Sequence, residues 1–335
     1  SFPLFSSILS LLSLFCCSSS LSMRRLYPSY LRHCHHFSRT SPLVFKQQYT
    51  TIQPTENEIE KKIVQFEPPL PTQEAIELRR KNASILKKFR DKSDKLLVIS
   101  GAGISTESGH PDYRSPKGAY SQGHKPATYQ QFIKPDSEKF RKRYWLRSYF
   151  GFPNFAAMSP NSAHHALANW EKNKHISLPI ITQNVDRLHT TAGSQDVVEL
   201  HGNLFEVVCL SCDFHIDRMT YQDWLFQANP FLPHLRSTPG SAIRPDGDVY
   251  ISDLNPELMK VPSCPKCHGI LKPNVVFFGE TIPKARTEHT YDLVDNCSAL
   301  LCLGSSLQVF SAFRLVRRAK ERGVPVVVVN LGDTR

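Results

Sequence analysis

Leu96-Leu97-Val98-Ile99-Ser100-Gly101-Ala102-Gly103-Ile104-Ser105 decides the fold. An apolar run of strand length ends in two glycines one residue apart. A strand buried on both faces reads as such a run, and the glycines let the backbone turn tightly and approach a phosphate closely. The ordinary dinucleotide fingerprint fails here. A strict G-x-G-x-x-G needs glycine where Thr106 stands, and the third glycine comes only at Gly109.

Outward from this stretch the chain alternates. A helical spacing from Glu74 to Arg90 leads into the opening strand, and a polar loop from Thr106 to Lys125 follows the glycines. That loop is longer than a connector needs, so it is expected to cover a ligand. Residues 129–158 are aromatic, basic and helical in spacing, and Ser162 to Lys172 reads as a further helix. Strands are expected at Ile176–Ile181, Val197–Leu200, Val275–Phe278, Leu300–Leu303 and Pro325–Val329, with helices at Lys284–Asn296 and Phe310–Arg322. This rhythm predicts an α/β fold, a doubly wound parallel Rossmann-like sheet. The strands end at Gly101-Ala102-Gly103, Gln183-Asn184-Val185-Asp186, Gly304-Ser305-Ser306 and Asn330-Leu331-Gly332, all small or polar and suited to a nucleotide crevice.

Residues 203–272 break the rhythm and carry two C-x₂-C pairs, Cys209/Cys212 and Cys264/Cys267, separated by 51 residues. Each pair presents two thiolates from one tight turn, and two such turns close a tetrahedral zinc site. Four thiolates leave no open coordination position, so the expected zinc is structural, in a smaller inserted domain. Elsewhere, Cys16, Cys17 and Cys34 lie near the start of the chain, while Cys297 and Cys302 sit in apolar sequence, a pattern suited to a reducing compartment.

The formal charge of +11 invites a nucleic-acid reading, but five of the 41 Lys and Arg precede the first acid, Glu56. The remainder holds 36 basic against 30 acidic residues, a mild excess that does not favour nucleic acid. From Met23 the chain carries Arg24, Arg25, Arg32 and Arg39 among Ser, Tyr and His without acids, the composition of a mitochondrial presequence. The apolar Leu4–Phe15 segment lacks the preceding positive charges of a secretory signal, and Met23 is the expected biological start. Residues 1–53 are therefore expected to form a leader, 54–74 a Pro-rich linker, and 75–335 the folded domain. No apolar stretch elsewhere is long enough to span a bilayer.

Several motifs occur together and in order: Gly101-Ala102-Gly103-Ile104-Ser105, Pro111-Asp112-Tyr113-Arg114, Gln183-Asn184-Val185-Asp186, Leu200-His201-Gly202, the cysteine pairs, Phe277-Phe278-Gly279-Glu280 and Gly304-Ser305-Ser306. Over residues 75–335 the chain resembles the sirtuins, NAD-dependent protein deacylases, and most of all their class II mitochondrial branch. The resemblance implies that NAD lies across the sheet crevice. Its phosphates would rest against Gly101, Ala102, Gly103 and Ser105, helped by Gly304, Ser305 and Ser306, with Asn330 and Gly332 at the adenosine ribose. Gln183, Asn184 and Asp186 would line the nicotinamide pocket, Tyr113 would pack over the reactive carbon, and Asp112 and Arg114 would fix the loop.

His201 would be the general base, with Asn184 and Asp186 as further catalytic groups. An acylated lysine of a mitochondrial matrix protein would pair its backbone with Val276, Phe277, Phe278, Gly279 and Glu280. The Tyr144-x-x-Arg147 spacing resembles the one with which desuccinylating sirtuins grip an acidic acyl tail; on a helix the two side chains share a face, and the other reading is a core aromatic beside a solvated arginine. Mono-ADP-ribosyl transfer and a non-catalytic NAD or acyl-lysine sensor remain open alternatives. Three departures from the family stand out. His110 occupies a position usually aliphatic, the chain ends at Arg335 where the family continues, and the interval between the cysteine pairs is long.

Overall fold

Because β side chains alternate in direction, Leu96–Ser100 (β1) must bury two faces at once, and every residue in it is buried. The computed structural model describes residues 72–232, 244–249 and 255–335. The leader and nearly all of the linker expected from the sequence lie outside these residues. Leu96 and Val98 pack with Leu86, Leu167 and Trp170 on one face, while Leu97 and Ile99 pack with Leu293, Val294 and Leu315 on the other. Those partners come from α1 (Gln73–Asp91) and α4 (Ser162–Lys172) on the first face, and from α7 (Lys284–Asn296) and α8 (Phe310–Glu321) on the second. Helix α1 begins inside the expected linker because Thr72 caps it, its hydroxyl accepting the Ala75 amide.

Around β1 lie β2 (Ile180–Thr182), β3 (Val197–Glu199), β7 (Ala299–Leu303) and β8 (Val326–Val329), all parallel, in the order β3-β2-β1-β7-β8. This is the doubly wound sheet expected. The chain winds one way from β1 to β2 and β3, then returns to the other side of β1 with β7 and β8. The switch point therefore falls between β1 and β7, where such sheets open a ligand crevice.

A second sheet is antiparallel and three-stranded, in the order β5-β4-β6, from β4 (Gly202–Cys209), β5 (His215–Asp217) and β6 (Leu271–Val275). The strand expected at Val275–Phe278 is thus a correction: β6 ends at Val275 and belongs to this small sheet. It stops there because Glu280 folds back, its carboxylate accepting the Phe277 amide at 2.7 Å and the buried Lys272 ammonium at 3.0 Å. Helix α6 (Arg218–Ala228) and the long α3 (Glu138–Ala156) close the lobe, with Trp145, Tyr221, Leu225 and Cys264 in one core. The aromatic stretch 129–158 thus splits into α2 (Tyr129–Ile133) and α3, broken by Pro135, and much of it serves the small lobe.

The glycines that follow β1 also lock it to β7. A Cβ on Gly101 or Gly103 would stand 2.8 Å from the Gly304 carbonyl oxygen, so these glycines let the ends of β1 and β7 interlock. Gly304 itself has φ +61°, and a Cβ there would meet the Ile104 amide nitrogen at 2.4 Å. Gly304→Ala is expected to cost about 3 kcal/mol or more, combining left-handed strain with overpacking. Urea denaturation measures this, and an unchanged midpoint would contradict the interlock.

Candidate functional site

Three strand ends, those of β1, β2 and β7, meet at the switch point, and their side chains bond to one another. Ser105, at the turn after β1 (a 3₁₀ segment, Ala102–Ser108), donates its hydroxyl to the Asp186 carboxylate at 2.6 Å and accepts from Asn184 Nδ2 at 3.0 Å. Asp186 also accepts the Leu188 amide through its other oxygen, so it holds the entry to the short α5 (Leu188–Thr191) while gripping Ser105. Gln183 Nε2 reaches the Ser100 carbonyl at 3.2 Å and Ser305 Oγ at 2.8 Å, tying β2 to β1 and β7. Behind them His189 bonds Ser100 Oγ at 2.8 Å, and its burial pushes its pKa down to about 4.

His201 leaves β3 and enters β4 at a backbone corner. Gly202 makes that corner with φ +74°, where a Cβ would collide with the Asn274 carbonyl at 1.9 Å. The imidazole is held at both nitrogens: Nδ1 lies 3.0 Å from the Gln183 carbonyl and Nε2 lies 2.8 Å from Ser311 Oγ. A carbonyl only accepts, so Nδ1 carries the proton and Nε2 carries the basic lone pair. Burial, and then the neighbouring Arg286 and Arg314, lower its pKa to about 4 against the pull of the Gln183 carbonyl. With its pKa lowered in this way the imidazole is neutral in the working range. A group lowered in this way is protonated only as pH falls toward its shifted value. The kcat/KM for NAD is therefore expected to show no histidine limb between about pH 6 and 8. A protonation step centred near 6.5 in the free chain would contradict this.

His110 is buried against Phe155, ring centroids 4.4 Å apart, and neither ring nitrogen has a hydrogen-bond partner among the described residues. Its amide bonds the Ser105 carbonyl, and the Asp186 charge opposes the burial that lowers its pKa. A buried polar ring with two unmatched nitrogens fits a ligand bearing both a donor and an acceptor, as the carboxamide of nicotinamide does.

Asp112 turns inward on its own loop, accepting the Arg114 and Ser115 amides, while Tyr113 and Arg114 both pack on Tyr120. Ser306 accepts the Arg335 amide through its carbonyl, and Asn330 and Gly332 lie past β8, away from His201 in the strand order. Arg147 is engaged by the Asp248 carboxylate at 2.8 Å and the Val249 carbonyl at 3.0 Å, whereas Tyr144 packs edge-on against Phe132 and near Phe277. The two side chains share a helix but are committed to different neighbours. In the segment expected to pair with substrate, the amides of Val276, Phe277 and Glu280 are already taken, by the His201 carbonyl, Glu280 and the Phe277 carbonyl. The Phe278 carbonyl accepts from Tyr129.

The four cysteine sulfurs lie within 4.8 Å of one another, with Cys209–Cys267 at 3.4 Å and Cys212–Cys264 at 3.6 Å. Sulfurs at zinc–thiolate distance around a tetrahedral ion stand about 3.8 Å apart, so the donor set fits structural zinc and is far too wide for a disulfide.

The sequence profile of the Sir2 family matches residues 101–311. The chain belongs to the Sir2 family. The NAD-dependent protein deacylase Sirt4 of Drosophila melanogaster is 48% identical over 72% of this chain and 75% of its own length. The mitochondrial NAD-dependent protein lipoamidase sirtuin-4 of Bos taurus is 42% identical, covering 80% of this chain and 81% of its own. Among solved structures, a Sir2 protein with p53 peptide and NAD+ superposes with a TM-score of 0.56 at 29% identity, over 75% of this chain and 87% of that one. Against this sirtuin frame, sequence reasoning passed over Ser311, Arg286 and Arg314. A serine and two arginines on helices give no signal until the fold sets them around His201.

Proposed function

We propose that this sirtuin removes acyl groups from protein lysines in an NAD-dependent reaction, releasing nicotinamide and O-acyl-ADP-ribose. The observation that carries the reading is the His201 imidazole, fixed as a neutral Nδ1–H tautomer with Nε2 basic, at the open end of the parallel sheet. Bound NAD would supply a ribosyl carbon that the acyl oxygen attacks as nicotinamide leaves. The turn at Gly101, Ala102, Gly103 and Ser105, with Gly304, Ser305 and Ser306, holds the phosphates, and Asn330 and Gly332 hold the adenosine end. Gln183, Asn184, Asp186 and the unmatched His110 orient the nicotinamide amide. Tyr113, with its loop pinned by Asp112 and Arg114, excludes water from the reacting carbon. His201 would then take a ribose hydroxyl proton at Nε2, so that this oxygen bonds the acyl carbon, the lysine amine leaves with a proton, and one water supplies the remaining oxygen of the O-acyl-ADP-ribose.

The acyl-lysine peptide lies between the lobes. Because the neighbouring amides are engaged and Phe278 already bridges Thr128 in parallel, strand addition centres on the Gly279 amide. The targets are proteins of the mitochondrial matrix, a reading supported by the acid-free, Arg-bearing leader composition and by the mitochondrial bovine relative. No helix among the described residues is long and apolar enough to cross a membrane.

The test is nicotinamide release by the full chain across acetyl-, lipoyl- and methylglutaryl-lysine peptides. Turnover with free O-acyl-ADP-ribose supports deacylation, while label retained on protein identifies ADP-ribosyl transfer. Because Asp248 already occupies Arg147, an acidic acyl tail must displace a buried carboxylate, and methylglutaryl preference is expected only if Arg147→Ala abolishes it.

A further inference from the structure

Two points of contact hold the His201 ring, and only one belongs to the main chain. The Gln183 carbonyl fixes Nδ1, which leaves the ring free to tilt about that bond. The second contact, 2.8 Å from Nε2, comes from Ser311, 110 positions later in the chain and in the first turn of α8. Helix α8 is fixed independently, since Ala312, Leu315 and Ala319 are fully buried against β1 and β7. The serine is thus presented from a rigid element to the nitrogen that must do the chemistry.

We infer that Ser311 is a positioning residue for the His201 base. Its chemistry suits the task. A hydroxyl donates to the neutral Nε2 lone pair in the resting site, yields that lone pair to the ribose hydroxyl, and by rotating accepts from Nε2–H once the ring is protonated and the ribose oxygen has moved away. A carbonyl or an ammonium could serve only one of the two states. The acceptor role matters here because Arg286 and Arg314 both disfavour the imidazolium, and a serine oxygen on Nε2–H offsets part of that field. In the resting site the same hydroxyl keeps Nε2 aimed along one direction, and an incoming ribose hydroxyl takes its place without moving the ring.

This inference rests on the reading of His201 as general base, and the experiment separates the two. Ser311→Ala, Ser311→Thr and His201→Ala are compared with the unaltered full chain by steady-state deacylation and by histidine-selective nitrogen NMR. Ser311→Ala is expected to lower kcat about tenfold with the KM for NAD within about twofold, as loss of one hydrogen bond to a reacting group does. Ser311→Thr, which keeps the hydroxyl, is expected to restore kcat to within about threefold. In Ser311→Ala alone the His201 Nε2 signal should shift as it loses its hydrogen bond, while Nδ1 stays protonated against the Gln183 carbonyl. Unchanged kcat in Ser311→Ala beside an inactive His201→Ala would overturn the positioning role and leave the base reading standing. Failure of threonine to restore a loss seen with alanine would also overturn it, since the loss would then come from packing. A fully active His201→Ala would remove the base reading itself, and the inference with it.

Discussion

His201→Tyr is expected to abolish deacylation, with kcat/KM falling by about 10²–10⁴ and product undetectable in an ordinary assay. A phenol has no basic nitrogen, and its own proton leaves only near pH 10, so it cannot take a ribose hydroxyl proton at neutral pH. The substitution also removes the contacts to the Gln183 carbonyl and to Ser311. Fold and metal should persist. His201 stands at the junction of the two sheets, outside the apolar clusters that hold either lobe. Zinc content and the thermal midpoint are the controls. Full turnover in this variant would remove His201 from its proposed role.

Loss of zinc should act on the same site from the other side. Cys264 is fully buried in the core that joins Trp145 to Tyr221, and Cys209 closes strand β4. That strand begins at Gly202, immediately after His201, so the metal knuckle and the imidazole are two ends of one strand. Structural zinc contributes on the order of 10 kcal/mol to folding in small domains. Chelation, or Cys264→Ser, is therefore expected to unfold the small lobe and silence deacylation together, with one equivalent of zinc lost per chain. Metal analysis, near-ultraviolet circular dichroism and activity measured on one sample test this. A metal-free chain with an unchanged melting curve would contradict it.

The small lobe also explains which contacts were hidden. Arg218 is almost wholly buried, bonded to Ser148 and Gln222 and stacked on Trp145 and Phe152, so it clamps α3 onto α6. Nothing in the sequence marks it, because an arginine among aromatics looks like a solvated charge. The same blindness applied to Arg147, whose helix spacing with Tyr144 was legible while its partner Asp248 was not.

Local order was legible where a single periodicity governs a segment. The apolar run at Leu96–Ser100, the helices Ser162–Lys172 and Lys284–Asn296, and the four sulfur ligands all follow from spacing, because alternation, helical period and tight-turn geometry are local properties. The sirtuin motifs named the candidate site residues for the same reason. Tertiary structure alone decided the rest. It placed Leu271–Val275 in the small sheet, made Gly101 and Gly103 a lock against Gly304, and depressed the His201 pKa. It also brought Ser311 to a nitrogen 110 residues away. Each of these depends on what a group meets across the chain, through burial, close approach or a neighbouring charge, and none of these is encoded within a few residues of the group itself.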